Sequence, residues 1–385
     1  MKTISKQLWR SMVFTLILAV LWTAGAAAET PVKNVILLIG DGMGINHITA
    51  ARLSLAEGAY SVLNLDTMPY TGFSLNFADN NLVTDSAAAA TALATGFRTE
   101  TGRLATLPDG TPLESIMLRA KAEGLSTGIV STVKITDATP AAFLVNADSR
   151  TFERDVAAAI LETETDVFLG GGADAFGINP FTKQPKSNAL IHRALEKGYT
   201  FVSDREGLLN LEITPGLKLI GLFIGGDMSF ELTRLPTEPS LMEMTERALE
   251  VVSQNPRGFF LMVEGARIDR ASHTQSAKEM VGELLMFDQV VGLALEFAKD
   301  NPGTLVVVTA DHETGGLAIT SGHPSGETVN YHWASTGHTA AVVPIYAYGP
   351  GAERFSGTLP ITEIPVRIAE LMGLTGFPAA KEMEE

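Results

Sequence analysis

The sequence predicts an α/β fold, a three-layer sandwich around a largely parallel central sheet. Three observations carry that expectation. Strand-like apolar runs alternate with helix-period patterns along almost the whole chain, the order that builds a parallel sheet covered on both faces. Three of those runs end in acids at Asp41, Glu264 and Asp311, and working residues of open α/β sheets gather at the carboxyl ends of strands. The 385 residues include no cysteine, so stability must come from an apolar core or from bound metal rather than from disulfides.

The chain opens with Lys2, Lys6 and Arg10, continues through an apolar run from Met12 to Trp22, and reaches Ala24-Gly25-Ala26-Ala27-Ala28. A basic start, an apolar stretch short for a bilayer span and a small-residue end read as a secretory signal over 1–28, cleaved after Ala28. A lipid-anchored lipoprotein is excluded, since its acylated residue is a cysteine. The expected location is periplasmic or secreted, with no membrane anchor after cleavage. The formal net charge of −16 becomes more negative once the three basic leader residues are lost. Such a surface repels nucleic acid and anionic membranes, yet one local positive site can still bind a small anion.

Residues 29–385 read as one domain. Strands are expected at 34–39, 127–132, 166–169, 217–223, 259–263, 304–309 and 341–348, where short apolar runs are bounded by turn residues. Helices are expected between them at 45–56, 86–95, 113–123, 151–162, 190–197, 240–253, 276–298 and 362–372. The firmest is the alanine run after Ser86, which holds no glycine or proline up to Thr95. Residues 170–239, richer in glycine, proline and short loops, form a candidate peripheral insertion, and 375–385 an acidic tail.

Ser86, in Val83-Thr84-Asp85-Ser86, falls at the first turn of that helix. Free backbone N–H groups and the positive dipole end there favour an anion, which suits a nucleophile that must become an alkoxide. Ser86 or Asp85 reads equally as a plain helix cap. Asp269 and His273 are spaced i,i+4, one face of a helical turn; together they suit zinc or form an exposed pair. Asp311 and His312, adjacent on a loop after a strand, can reach one ion. His338 is flanked by small residues that let a metal approach, with His332 as a rival. Asp137 and Thr139 offer oxygens to a hard cation. Arg150 offers a fork for two phosphate oxygens or a surface charge.

These residues sit in six stretches: IGDGMG at Asp41, VTDSAAAATA at Ser86, TDATPAAF at Asp137 and Thr139 with SR at Arg150, VEGARIDRASH at Glu264, Asp269 and His273, TADHETGG at Asp311 and His312, and STGHT at His338. In this order they resemble the alkaline phosphatases, and the likeness runs from Asn34 to near the C-terminus. The resemblance implies an alkaline-phosphatase-like sandwich that hydrolyses phosphate monoesters, with two Zn2+ and one Mg2+. Asp269, His273 and His338 would hold the first zinc. Asp41, Asp311, His312 and the Ser86 oxygen would hold the second. Asp41 would bridge to magnesium beside Thr139 and Glu264, with Asp137 acting mainly through water. Arg150 would grip the phosphoryl group, and the reaction would pass through phosphoserine at Ser86. A homodimer is expected as family habit.

Arginine at 270 stands where the family varies, and it can contact phosphate or neutralise Asp137. Aspartate at 137, where many relatives carry histidine, favours magnesium over a third zinc. The nearest alternatives are a phosphodiesterase, phosphonate hydrolase or sulfatase of the same superfamily. Ser86 lacks the C/S-x-P-x-R setting of a sulfatase, and Arg150 favours a dianionic monoester. A zinc- or phosphate-binding protein without turnover leaves no use for a serine at that helix start.

Overall fold

The computed structural model describes residues 31–179 and 182–380; the expected signal over 1–28 and the end of the acidic tail lie outside them. Among the described residues fourteen strands occur in chain order: β1 (Asn34–Ile39), β2 (Tyr70–Leu75), β3 (Ser126–Lys134), β4 (Val167–Gly171), β5 (Tyr199–Val202), β6 (Lys218–Leu222), β7 (Phe259–Glu264), β8 (Thr304–Thr309), β9 (Glu313–Thr314), β10 (Leu317–Gly322), β11 (Val329–Trp333), β12 (His338–Thr339), β13 (Val343–Tyr348) and β14 (Gly357–Pro360). Ten of these make one sheet in the order β14-β2-β13-β8-β1-β7-β3-β4-β6-β5. Every neighbouring pair is parallel except the two that β13 makes with β2 and β8.

β1 lies at the centre of the sheet and shows why it needs cover on both sides. Successive side chains of a strand point to opposite faces: Val35, Leu37 and Ile39 enter one core cluster, Ile36 and Leu38 the other. On the first face pack the helices Ser86–Thr95, Ile116–Ala122, Ala138–Ala142, Glu153–Ile160, Ile191–Glu196 and Glu363–Met372. On the second pack Ile45–Leu53, Leu241–Val252, Arg267–His273 and Ala277–Asp300. The three-layer α/β expectation holds, and each fully buried leucine of β1 contributes roughly 1.5–3 kcal/mol.

Several elements differ from the sequence expectation. The helix expected from 113 begins at Ile116, because Ser115 caps it by accepting from the Leu118 N–H at 3.1 Å. The strands β2, β5 and β14 and the β10–β11 hairpin were not expected. In β2 the pattern is interrupted by Gly72, where a Cβ would lie 2.4 Å from the Phe355 carbonyl oxygen and 2.6 Å from that of Gly357. Only glycine lets the neighbouring backbone approach so closely. The segment 170–239 supplies β5 and β6 to one edge of the sheet.

Candidate active site

The carboxyl ends of β1, β3, β7 and β8 share one edge of the sheet because these strands are parallel. From them project Asp41 just after β1, Asp137 just after β3, Glu264 as the last residue of β7, and Asp311 and His312 just after β8. Ser86 is the first residue of its helix. Asp85, not Ser86, is the cap, accepting from the Ala88 N–H at 3.0 Å. Asp269, Arg270 and His273 ride on one short helix, Arg267–His273. His338 reaches the same edge because β12 pairs antiparallel with β9, His338 opposite Thr314.

Two groups of ligand atoms result. Around the His312 Nε2 lie the Ser86 Oγ at 3.2 Å, the Asp311 Oδ2 at 3.1 Å and the Asp41 Oδ1 at 3.5 Å. One imidazole nitrogen carries at most one proton, and neither the Asp41 Oδ1 nor the Asp311 Oδ2 completes a hydrogen bond among the described residues although both are buried. In the second group the His273 and His338 Nε2 atoms stand 3.2 Å apart, and 3.3 and 3.6 Å from the Asp269 Oδ1. Each histidine gives its other nitrogen to a backbone carbonyl, His273 Nδ1 to Thr336 at 2.6 Å and His338 Nδ1 to Thr84 at 2.9 Å. With Nδ1 donating, a neutral ring turns a bare Nε2 lone pair inward, the orientation of a metal-ligating histidine. The rings of His312 and His338 stack at 3.5 Å and join the groups.

A third cluster adjoins them. The Ser131 hydroxyl donates to the Glu264 Oε2 at 2.6 Å. Beside it the Thr139 hydroxyl adjoins the Glu264 carboxylate, but neither the Thr139 Oγ1 nor the Glu264 Oε1 completes a well-formed hydrogen bond among the described residues. Asp137 caps the helix Ala138–Ala142 and receives two guanidinium groups, Arg150 Nη2 on Oδ1 at 2.8 Å and Arg270 Nη2 on Oδ2 at 3.0 Å.

Burial of so many acids has an electrostatic cost. Burial, then the charges of Asp311, Asp269 and Glu264, raises Asp41 well above the usual carboxylate range. Burial likewise pushes Glu264 up to about 8 and Asp311 up to about 6. Burial would raise Asp269 too, but hydrogen bonding to His273 and the adjoining His312 outweigh it and hold Asp269 below its ordinary value. His312 is held well below its ordinary value, first by burial and then by its neighbours His338, His273 and Arg150, against the opposing charge of Asp269. Unsatisfied lone pairs, crowded carboxylates and inward imidazole nitrogens are what divalent cations would satisfy, so the residues present fit metal ions. Two triads have ligand atoms within 4.8 Å of one another, Asp269–His312–His338 and Asp41–Asp311–His312.

The structure thus brings together Asp41, Ser86, Asp137, Thr139, Arg150, Glu264, Asp269, Arg270, His273, Asp311, His312 and His338 on one edge. The rival His332 is exposed in the hairpin, opposite Ala318. Three residues were not singled out from the sequence. Thr314 donates to the Asp269 Oδ1 at 2.6 Å, Ser131 braces Glu264, and Asp227 meets Arg270 at 3.3 Å. Thr314 lies inside the TADHETGG stretch, and Asp227 follows Gly225-Gly226 beyond β6, another carboxyl strand end, which was the available signal.

Comparison with known proteins bears on what this edge does. The family model for alkaline phosphatase matches residues 32–331. An alkaline phosphatase of Escherichia fergusonii is 35% identical, covering 90% of this chain and 87% of its own length. The streptomycin-6-phosphate phosphatase of Streptomyces griseus is 33% identical, covering 95% and 97%. Among solved structures, the alkaline phosphatase of the Antarctic bacterium TAB5 matches with a TM-score of 0.79 at 30% identity, over 90% of this chain and 98% of that one. A variant of that enzyme with aspartate in place of a histidine has magnesium bound in its M3 site. Sequence, sheet and the cluster around Ser86 agree: the chain belongs to the alkaline phosphatase family and hydrolyses phosphate monoesters.

Proposed function

We propose that the reaction runs through a phosphoserine at Ser86: the Ser86 oxygen attacks phosphorus and the alcohol leaves, then water cleaves the phosphoserine to release inorganic phosphate. Two in-line displacements give net retention at phosphorus. The observation that carries this reading is the buried Ser86 Oγ, at the first turn of a helix and 3.2 Å from the His312 Nε2 among Asp41 and Asp311. Free N–H groups of that turn and its positive dipole end favour the serine alkoxide.

Asp269, His273 and His338 would hold one Zn2+; Asp41, Asp311, His312 and the Ser86 oxygen a second; Asp41 with Thr139, Glu264 and Asp137 one Mg2+. When bound, such ions lower the proton affinity of a coordinated oxygen and clamp the charge of an in-line displacement. The acid and hydroxyl set at Asp137, Thr139 and Glu264 suits the harder cation, and magnesium in the aspartate-bearing TAB5 variant supports that assignment. Arg150 and Arg270 bind the phosphoryl dianion, two guanidinium groups set side by side by the two oxygens of Asp137. Residues 29–385 act as one catalytic domain, with 170–239 as its insertion. Export rests on the sequence of residues 1–28, and a homodimer on family resemblance. Among the described residues no helix is long and apolar enough to cross a membrane.

Ser86→Ala tests the mechanism. Turnover of p-nitrophenyl phosphate should fall by several orders of magnitude, acid-quenched phosphoenzyme should vanish, and metal content should stay. Near wild-type turnover removes Ser86 as nucleophile, and faster cleavage of a bis-ester than of the monoester points to the phosphodiesterase alternative.

A further inference from the structure

We infer that Asp227 is a positioning residue that aims Arg270 into the site and so sets how tightly inorganic phosphate is held. The inference rests on the reading above that Arg270 faces phosphate. Asp227 Oδ2 accepts from the Arg270 Nε at 3.3 Å. That contact uses the edge of the guanidinium nearest the chain and leaves both terminal nitrogens pointing onward, Nη2 to the Asp137 Oδ2 at 3.0 Å and Nη1 to within 3.6 Å of the Asp269 Oδ2. The guanidinium is planar and rigid, so fixing Nε also fixes the directions of Nη1 and Nη2.

Asp227 is itself held. The backbone next to it is tied to the end of β3, with the Met228 N–H donating to the Thr132 carbonyl at 3.1 Å. The Lys134 N–H lies 3.4 Å from the Asp227 Oδ1. From the other side the Arg267 guanidinium, stacked 3.8 Å over the Phe230 ring, approaches the Asp227 Oδ2 at 3.6 Å. Asp137 follows that same end of β3, so hydrogen bonds to one strand end tie together the two segments whose carboxylates grip Arg270.

Positioning and plain neutralisation predict opposite signs. A carboxylate that only neutralised Arg270 would weaken anion binding, so its removal would tighten phosphate. A carboxylate that aims Arg270 would loosen phosphate when lost. Equilibrium dialysis of radiolabelled inorganic phosphate, with inhibition of p-nitrophenyl phosphate hydrolysis alongside, separates the two on metal-loaded protein. Arg270→Ala and Asp227→Ala should each raise the phosphate dissociation constant, the latter by roughly three- to tenfold. The double variant should be no weaker than Arg270→Ala, and Asp227→Asn, which keeps an acceptor for Nε, should stay within about twofold of wild type. Asp227→Ser, too short to reach Nε, replaces the alanine variant if that one fails to fold and carries the same expectation. Tighter or unchanged phosphate binding in Asp227→Ala, while Arg270→Ala loosens it, overturns the positioning role alone. Unchanged binding in Arg270→Ala overturns the phosphate reading of Arg270 and this inference with it.

Discussion

Arg150 shows how much one side chain can decide. Its Nη2 donates to the Asp137 Oδ1 at 2.8 Å while Nη1 lies 3.6 Å from the Asp85 Oδ2, so two acids hold a planar fork suited to two phosphoryl oxygens. Losing a charge-assisted contact of that kind costs about 2–3 kcal/mol, roughly thirtyfold to 150-fold in kcat/KM. Arg150→Ala should show a partial loss of this size on p-nitrophenyl phosphate, and Arg150→Lys should recover only part, since an ammonium cannot make the fork. Complete inactivation with fold and metal content intact would contradict this division of labour.

At the scale of elements, the turn after β1 is a tight joint at the site. Gly42 has φ +73°, and a Cβ there would lie 2.7 Å from the Thr314 Oγ1 and 3.0 Å from the Asp269 Cα and Cβ. The Gly42 N–H also donates to the Asp311 Oδ1 at 3.1 Å. Gly42→Ala should therefore push apart the segments that carry Asp41, Asp269 and Asp311. Backbone strain alone amounts to about 1–3 kcal/mol; the expected outcome is a lowered melting temperature together with weakened zinc retention on dialysis, and unchanged zinc retention would separate this turn from the site.

The long helix Ala277–Asp300 carries a pH-dependent element far along the chain. Glu283 is buried and accepts from the Glu231 N–H at 2.5 Å, and burial pushes it up to about 7 despite that bond and the nearby Arg267. Its folded value is raised above the ordinary one of 4.5. Its contribution to stability is therefore fully present below pH 4.5 and is lost as pH rises through 7, at most about 3 kcal/mol in all. Glu283→Gln should raise the melting temperature at pH 9 and leave it nearly unchanged at pH 5. An equal shift at both pH values would show that the carboxylate does not titrate in this window.

For the whole molecule, the sheet gathers Asp41, Glu264, Asp269 and Asp311, all buried, on one edge, and their mutual repulsion makes ligand binding part of folding. A cation present at 100 times its dissociation constant adds about 2.7 kcal/mol of stability. Chelation should abolish activity and also lower the melting temperature, with recovery of both on adding zinc and magnesium. A metal-free protein melting at the same temperature as the loaded one would uncouple the site from the fold.

Local pattern by itself determined the α/β class, the central strands, the helix Ser86–Thr95 to the residue, and the i,i+4 relation of Asp269 and His273, because periodicity and helix propensity act over a few neighbouring residues. Six ordered motifs likewise make the family legible in the sequence. The tertiary structure alone decided that Asp85 rather than Ser86 caps the helix and that β2 and β14 extend the sheet. It also brought Asp227 to Arg270. Ser86 and His312 are 226 positions apart, one opening a helix packed on a face of the sheet and the other just after β8, and only the docking of that helix on the sheet brings them to one edge. Pairing is a contest among long-range contacts that no local window of sequence contains.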